Sequence, residues 1–313
     1  MDKPNLDTSG APAPRFSVLV PAWNAAPFIA ATLHSVRKQG FASVEVIVMD
    51  GGSTDGTQAV VEAFEGLNIT LVSEPDKGQL DALQKAARLA RGDILYWLNA
   101  DDILMPGSLA AVDAAFRADP DLDLVFSDDF AFEEETRLLV NGGLIKGLSV
   151  ADHALFYRQM YSECIFWKRE KTRLLPDSFY DLRLCTDYAF FLNLRVGLKE
   201  KWLPKRLGAF RIAPGQISQI YRDRLDGERS RIRALVFERL GWSASSVPIR
   251  RALHWPSFQL RQVLRPKVHA AARALGRKMD GGAGRRARTE AFFNAWLTPD
   301  VAPTPALIAL LNR

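Results

Sequence analysis

Residues 16–57 read FSVLVPAWNAAPFIAATLHSVRKQGFASVEVIVMDGGSTDGT, and the alternation in this stretch decides the fold. Phe16 to Pro21 is an apolar run of strand length, and Pro27 to Lys38 then places Ile29, Leu33 and Val36 at helical spacing. Val44 to Met49 is apolar at nearly every position, as in a strand covered on both faces, and it stops at Asp50-Gly51-Gly52-Ser53. Helical periodicity returns over Thr57 to Phe64. Further on, the pattern predicts a strand at Ile69 to Val72, a helix at Gln79 to Ala90 and a strand at Asp93 to Leu98. The order βαβαβαβ predicts an α/β fold with a mostly parallel, Rossmann-like central sheet flanked by helices. Right-handed crossovers gather the loops that follow the strands at the carboxyl edge, where open α/β sheets bind ligands.

Beyond this unit, a helix is expected at Pro106 to Ala118 and a strand at Leu122 to Ser127. Residues 160–213 are less regular, apart from a helical pattern at Cys185 to Val196. Helical stretches return at Gly227 to Leu240 and Val247 to Leu275, the second interrupted by Pro256 and Pro266. The 313 residues can bury a sizeable core, and 48% hydrophobic with 25% charged residues excludes a disordered or collagen-like chain. Two cysteines, Cys164 and Cys185, without a paired C-x-x-C argue against a zinc site or an oxidised framework, so the cytosol is the default compartment. No apolar run approaches the roughly 20 residues that span a bilayer. Charge is unevenly spread: residues 1–215 hold 23 Lys and Arg against 29 Asp and Glu, whereas 216–313 hold 18 against 7. This divides the chain into a polar, flexible leader (1–15), an acidic α/β domain (16–215) and a basic helical extension (216–313).

Four polar clusters follow predicted strands: Pro21-Ala22-Trp23-Asn24, Asp50 to Thr57, Glu74 to Gln79, and Asn99-Ala100-Asp101-Asp102. Any one of them can be a capped turn, because Asp and Ser satisfy helix N–H groups and Gly supplies positive φ. Loops that only reverse the chain, however, have no need to bring carboxylates to one sheet edge four times. A site for a nucleotide, a divalent cation and a hydroxyl nucleophile does.

In this order the clusters resemble the family-2 inverting glycosyltransferases of the GT-A fold, closely over residues 16–105 and more weakly to about residue 220. The resemblance implies that Pro21, Ala22 and Asn24 touch a nucleotide and that Asp50 accepts a hydrogen bond from its base, usually uracil. The common family text is D-D-G-S-T-D-G-T, and this chain has Gly51 in place of the second Asp. SEPDKGQLDALQKAARLARGDILYWLNADD, residues 73–102, is similar to the donor-binding stretch of members that build bacterial surface polysaccharides. It implies that Asp76, Lys77, Gly78 and Asp81 line the donor site. Asn99-Ala100-Asp101-Asp102 stands at the family's D-x-D position with Asn99 for the first Asp. Hard carboxylate oxygens there suit Mg²⁺ or Mn²⁺, with Asp102 as metal ligand and Asp101 as metal or ribose contact. A helix N-cap is the alternative role for Asp102, and a solvated turn lysine that for Lys77.

Displacing a nucleotide diphosphate from an anomeric carbon builds negative charge on the leaving oxygen, which a cation neutralises, while a carboxylate takes the acceptor's proton. By resemblance that base is Asp187, with Asp181 as rival and a plain N-cap role as alternative. Asp128 and Asp129 either orient sugar hydroxyls or are solvated. The four histidines show no metal spacing and there is no G-x-S-x-G elbow. Trp97 belongs to a buried strand; Trp23 either stacks on a ligand or packs.

The expected activity is therefore metal-dependent transfer from a nucleotide-sugar, in the first place a UDP-sugar, to the hydroxyl of a saccharide or lipid-linked saccharide acceptor. Basic, aromatic-bearing helices in the extension either contact an anionic membrane peripherally or pack on the catalytic domain with their arginines in water. No nucleic-acid-binding module accompanies the charge, so no nucleic-acid partner is expected. Two other classes compete. A nucleotidyltransferase normally has a Gly-rich basic loop where this chain has P-A-W-N-A-A, and a non-catalytic nucleotide-sugar binding module has no need of Asp102 and Asp187.

Overall fold

The computed structural model describes residues 13–128, 130–133, 138–141, 148–158, 160–213 and 225–259. Strands β1 (Phe16–Ala22), β2 (Val44–Asp50), β3 (Asn68–Ser73) and β4 (Ile94–Trp97) alternate with helices α1 (Ile29–Arg37), α2 (Thr57–Glu62) and α3 (Gln79–Leu89). All three neighbouring pairs, β1 with β2, β1 with β4 and β2 with β3, are parallel. Side chains alternate across the sheet, so Val18, Val20, Val46, Val48, Ile94 and Tyr96 fill one core while Leu19, Ile47, Met49, Leu95 and Trp97 fill the other. Burial on both faces is what makes these strands read as continuous apolar runs. Glu45 breaks the pattern. Its buried carboxylate accepts from the Ser17 hydroxyl at 2.6 Å and from the Arg91 N–H at 2.7 Å, with the Arg91 guanidinium at 2.9 Å.

The chain then departs from simple alternation. After β5 (Ile103–Leu104) and α4 (Ser108–Ala118) come β6 (Leu124–Phe126), β7 (Phe130–Glu133), β8 (Leu138–Asn141), α5 (Val150–Phe156) and β9 (Ile165–Lys168). Strand β9 inserts between β4 and β6, antiparallel to both. With β10 (Glu200–Trp202) the large sheet has seven strands in the order β10-β6-β9-β4-β1-β2-β3. A second sheet of four strands, β5-β11-β7-β8, is closed by β11 (Gly208–Ile212). It was not expected from the sequence, because its strands are two to five residues long and come from distant parts of the chain.

Helix α6 (Thr186–Leu194) is buried almost throughout, with Phe190 and Phe191 stacked or edge-on against Trp97 and Trp167. Helix α7 (Leu225–Arg239) inserts Ile232 and Val236, both fully buried, into the same core. Helix α8 (Val247–Gln259) runs through Pro256, where the sequence predicts an interruption. The carbonyl that loses its donor is that of Ala252, on the exposed side of the helix, where water can satisfy it. Residues 260–313, which include Pro266 and the rest of that predicted stretch, and the leader up to residue 12 lie outside the described residues. Cys164 and Cys185 are buried, and neither is in a disulfide.

Strand β11 passes so close to the 3-10 turn Ser162–Cys164 that leads into β9 that a Cβ on Gly208 would lie 2.1 Å from the Glu163 carbonyl oxygen. Backbone cannot yield as a flexible side chain does. Gly208→Ala is therefore expected to destabilise the fold by roughly 1–3 kcal/mol, read as a lower thermal unfolding midpoint; an unchanged midpoint would contradict this packing.

Candidate active site

Parallel pairing in register puts Ala22 beside Asp50, and Asp50 beside Ser73, so the loops after β1, β2 and β3 leave the sheet together. They are tied side chain to backbone. The Asn24 N–H donates to Ser53 Oγ at 2.7 Å and Asn24 Oδ1 accepts the Thr54 N–H at 3.0 Å. Thr57 Oγ1 accepts the Ala25 N–H at 2.8 Å, and Asp55 Oδ2 the Ala26 N–H at 2.9 Å. Asn24, a non-glycine residue at φ 48°, holds its left-handed turn through these bonds. Pro21 and Ala22 form the end of β1. Trp23 is 65% exposed at the rim, which removes core packing as its role.

Asp50 sits at the hub, 1% exposed. Its carboxylate accepts from Ser73 Oγ at 2.6 Å, Gln58 Nε2 at 3.0 Å, the Ser53 N–H at 3.1 Å and the Ser53 hydroxyl. Burial alone raises a carboxyl pKa, but these donors from Ser53, Ser73 and Gln58 outweigh it and hold Asp50 below the usual range.

Asp76 reaches across the β2 loop. A Cβ on Gly51 would fall 2.7 Å from Asp76 Oδ2, so the absence of a side chain at position 51 is what lets that carboxylate approach. Asp76 Oδ1 accepts the Gly78 N–H at 2.8 Å. Asp81 braces the loop from behind: its Oδ2 accepts the Lys77 N–H at 3.1 Å and lies 3.3 Å from Lys85 Nζ, which also pairs with Glu74 at 2.8 Å. The Lys77 ammonium lies 5.5 Å from the Tyr180 ring centroid, and a Cβ on Gly78 would be 2.7 Å from Arg183 Nη1. Two cations thus flank Gly78.

The loop after β4 is organised by Asn99. Its Oδ1 accepts from Trp97 Nε1 at 2.8 Å and Gln79 Nε2 at 2.9 Å, while its Nδ2 donates to Asp102 Oδ2 at 2.9 Å and Ser162 Oγ at 3.1 Å. An aspartate there could not make the two donor contacts, a physical reason for Asn at position 99. Asp102 is fully buried; its Oδ1 accepts the Arg211 N–H at 2.9 Å. Burial first, then the charge of Asp101, push its carboxyl well above the usual range against the pull of Arg211 and Asn99. Arg211 is itself buried between the rings of Phe28 and Phe132, its Nε donating to the Asp101 carbonyl at 2.7 Å. Asp101 is less buried than its neighbour.

Among the described residues no group of three or more His, Cys, Asp and Glu side chains is placed to hold a metal. The donor set here is two adjacent carboxylates. That fits Mg²⁺ or Mn²⁺, which bind through one or two carboxylates and take the rest of their shell from phosphates and water.

Asp187 lies in the first turn of α6, partly exposed, its Oδ1 accepting the Tyr188 N–H at 2.7 Å. Asp181 is instead tied to Arg231, Oδ2 to Nη1 at 2.9 Å with a second contact through Nη2, and the pair depresses its pKa. A carboxylate so paired is a poor proton acceptor. Asp128 is at the end of a strand loop and Asp129 lies outside the described residues. His153 is buried and neutral, with burial first and Arg195 second lowering its pKa to about 3. Sequence reasoning placed Asn99 at the D-x-D position but missed Arg211, Ser73 and Gln58. Only Ser73 and Gln58, near Asp50 in the pattern, offered a signal; Arg211 reaches Asp101 from 110 residues away.

Residues 17–169 match the profile of Glycosyl transferase family 2. A curated relative, the PGL/p-HBAD biosynthesis glycosyltransferase of Mycobacterium bovis, is 32% identical over 161 residues, covering 50% of this chain and 60% of the relative. The Escherichia coli UDP-Glc:alpha-D-GlcNAc-diphosphoundecaprenol beta-1,3-glucosyltransferase WfgD is 28% identical over 168 residues, covering 52% and 63%. The matched part of this chain thus spans less than two thirds of either relative. Among solved structures, residues 1–349 of S. aureus TarS in complex with UDP-GlcNAc share the fold at a TM-score of 0.60 and 17% identity, covering 95% of this chain and 89% of that one. The mannosyltransferase PcManGT of Pyrobaculum calidifontis, in complex with GDP-Man and Mn2+, does so at 0.53 and 21%, covering 96% and 85%.

Replacing Asp50 by Asn leaves one carbonyl to serve four donors, at an expected cost of about 1–3 kcal/mol at neutral pH. Because the folded pKa lies below the model-compound 3.8, the carboxylate's contribution is complete above that value and fades as pH falls through the folded one. Urea unfolding of both proteins should show a gap that holds from pH 7 to about 4 and narrows only below it; a gap still unchanged at pH 2 would contradict the charged hub.

Proposed function

Given that residues 17–169 form a Glycosyl transferase family 2 domain, we propose that the chain is a metal-dependent inverting glycosyltransferase using a nucleotide-sugar, in the first place a UDP-sugar. Its acceptor is the hydroxyl of a saccharide or lipid-linked saccharide in cell-surface polysaccharide or related assembly. The observation that carries this reading is the linkage of the sheet's loops at one edge. Asn24, Ser53, Asp50 and Ser73 form one hydrogen-bonded chain, and Gln79, Asn99, Asp102 and Arg211 form another, with Asp76 lying over Gly51.

In this reading Pro21, Ala22, Asn24 and Asp50 receive the nucleoside, as a pre-formed pocket whose donors and acceptors are already fixed. Asp76, Lys77 and Gly78 line the diphosphate side, with Arg183 as an additional cation and Asp81 holding the loop's shape. Asp102 and Asp101 hold the cation, which neutralises charge developing on the departing diphosphate. Asp187 takes the acceptor proton from the side opposite the leaving group, so one displacement inverts the anomeric centre.

The test is a panel of UDP-, GDP- and dTDP-sugars with and without Mn²⁺, following release of the nucleoside diphosphate. One or more donors should be turned over faster with metal. Asp102→Ala should lower turnover at least 100-fold and abolish the metal response, whereas Asp187→Asn should lower it similarly with UDP affinity within about threefold. No donor hydrolysis, with a nucleotide-sugar made from NTP and sugar phosphate instead, would replace this reading by a nucleotidyltransferase.

Peripheral contact with an anionic membrane is a second reading for the basic end. Ile249, Leu253 and Trp255 are 64%, 73% and 46% exposed on α8, beside Arg250 and Arg251. Among the described residues no helix is long and apolar enough to cross a membrane. Flotation with phosphatidylglycerol vesicles should carry the protein, and Ile249→Asp with Leu253→Asp should release it; binding that ignores these changes would place the contact elsewhere.

A further inference from the structure

Helix α6, which carries Asp187, has no side-chain cap of its own: its N-cap residue is Cys185, and no side chain there accepts a hydrogen bond. The backbone leading into it is held from another element. Glu228, on α7, accepts three consecutive amides: its Oε1 takes the Arg183 N–H at 2.9 Å, and its Oε2 takes the N–H groups of Leu184 and Cys185, both at 3.0 Å. One helical turn later, Arg231 grips the start of the same loop. It pairs with Asp181 through both guanidinium nitrogens, donates to the Ser178 carbonyl at 3.1 Å and lies 5.0 Å from the Phe179 ring centroid. Between these two grips the loop meets the donor side, where the Tyr180 carbonyl and Arg183 crowd Gly78. The helix making both grips is anchored by fully buried Ile232 and Val236.

A carboxylate accepting three backbone N–H bonds is a strong, directional tether, and two tethers that together reach from Ser178 to Cys185 fix a segment with little regular structure. We infer that Glu228 and Arg231 form a clasp that positions the 178–187 segment, so that Asp187 faces the acceptor. Glu228 is a positioning residue, not a catalytic one. The inference rests on Asp187 being the base, and it makes α7 part of the working site although it lies in the basic extension, outside the 17–169 match.

The experiment uses the full chain with UDP, Mn²⁺ and the UDP-sugar turned over fastest in the panel. Glu228→Ala should speed amide hydrogen exchange in the peptide covering 183–188 at least tenfold and lower turnover about tenfold or more, with UDP affinity within twofold. Glu228→Gln, which keeps one acceptor oxygen and turns the other into a donor, should recover only part of both losses. Faster exchange with unchanged turnover would overturn the clasp as a positioning device, as would an equal loss of UDP affinity. If Asp187→Asn turns over donor normally, the base assignment fails; if it does not and Glu228→Ala is normal in both measurements, only the clasp fails. Should Glu228→Ala not fold, Arg231→Lys is read in its place, with the same exchange and turnover outcomes deciding.

Discussion

A parallel strand buried on both faces has only its ends in reach of water, and that constraint organises the whole molecule. Pairing β1, β2, β3 and β4 in one direction commits the backbone leaving each of them to the same edge. Every polar residue of the candidate site on these loops owes its position to that shared exit. The chain then fixes the loops to one another through side chains that would cost free energy if left unpaired, such as Asp50 with its four donors and Asn99 with its four partners. Pre-organisation of this kind means that a ligand meets groups already oriented, so little of its binding energy is spent on ordering the protein.

The buried carboxylate of Asp102 shows how far this organisation extends. It touches Asn99 from its own loop and the backbone of Arg211 from the second sheet, so two sheets meet at one carboxyl group. Arg211 adds a cation held between two aromatic rings, away from solvent. An acidic group in such surroundings keeps its direction.

The first hundred residues were legible because each strand is a continuous apolar run and each helix has a periodic apolar face. The boundaries of β1 to β4 fall within a residue or two of those read from the pattern. The strand β9 was not legible: IFWK resembles any short apolar segment, and only pairing with β4 and β6 gives it direction. The site divides the same way. Asp50, Asp76 and Asp102 stood at strand ends and were visible, whereas Arg211 and Glu228 come from elements whose local sequence carries no mark of their destination. The resemblance put Asp187 ahead of Asp181; the partner that sets Asp181 apart in the structure, Arg231, lies 50 residues beyond it.

The contact between Gly51 and Asp76 couples two loops that are distant along the chain. A side chain at 51 would require the Asp76 carboxylate, the free end of its side chain, to swing away from the β2 loop, so the bare backbone at 51 sets where that negative charge rests at the sheet edge.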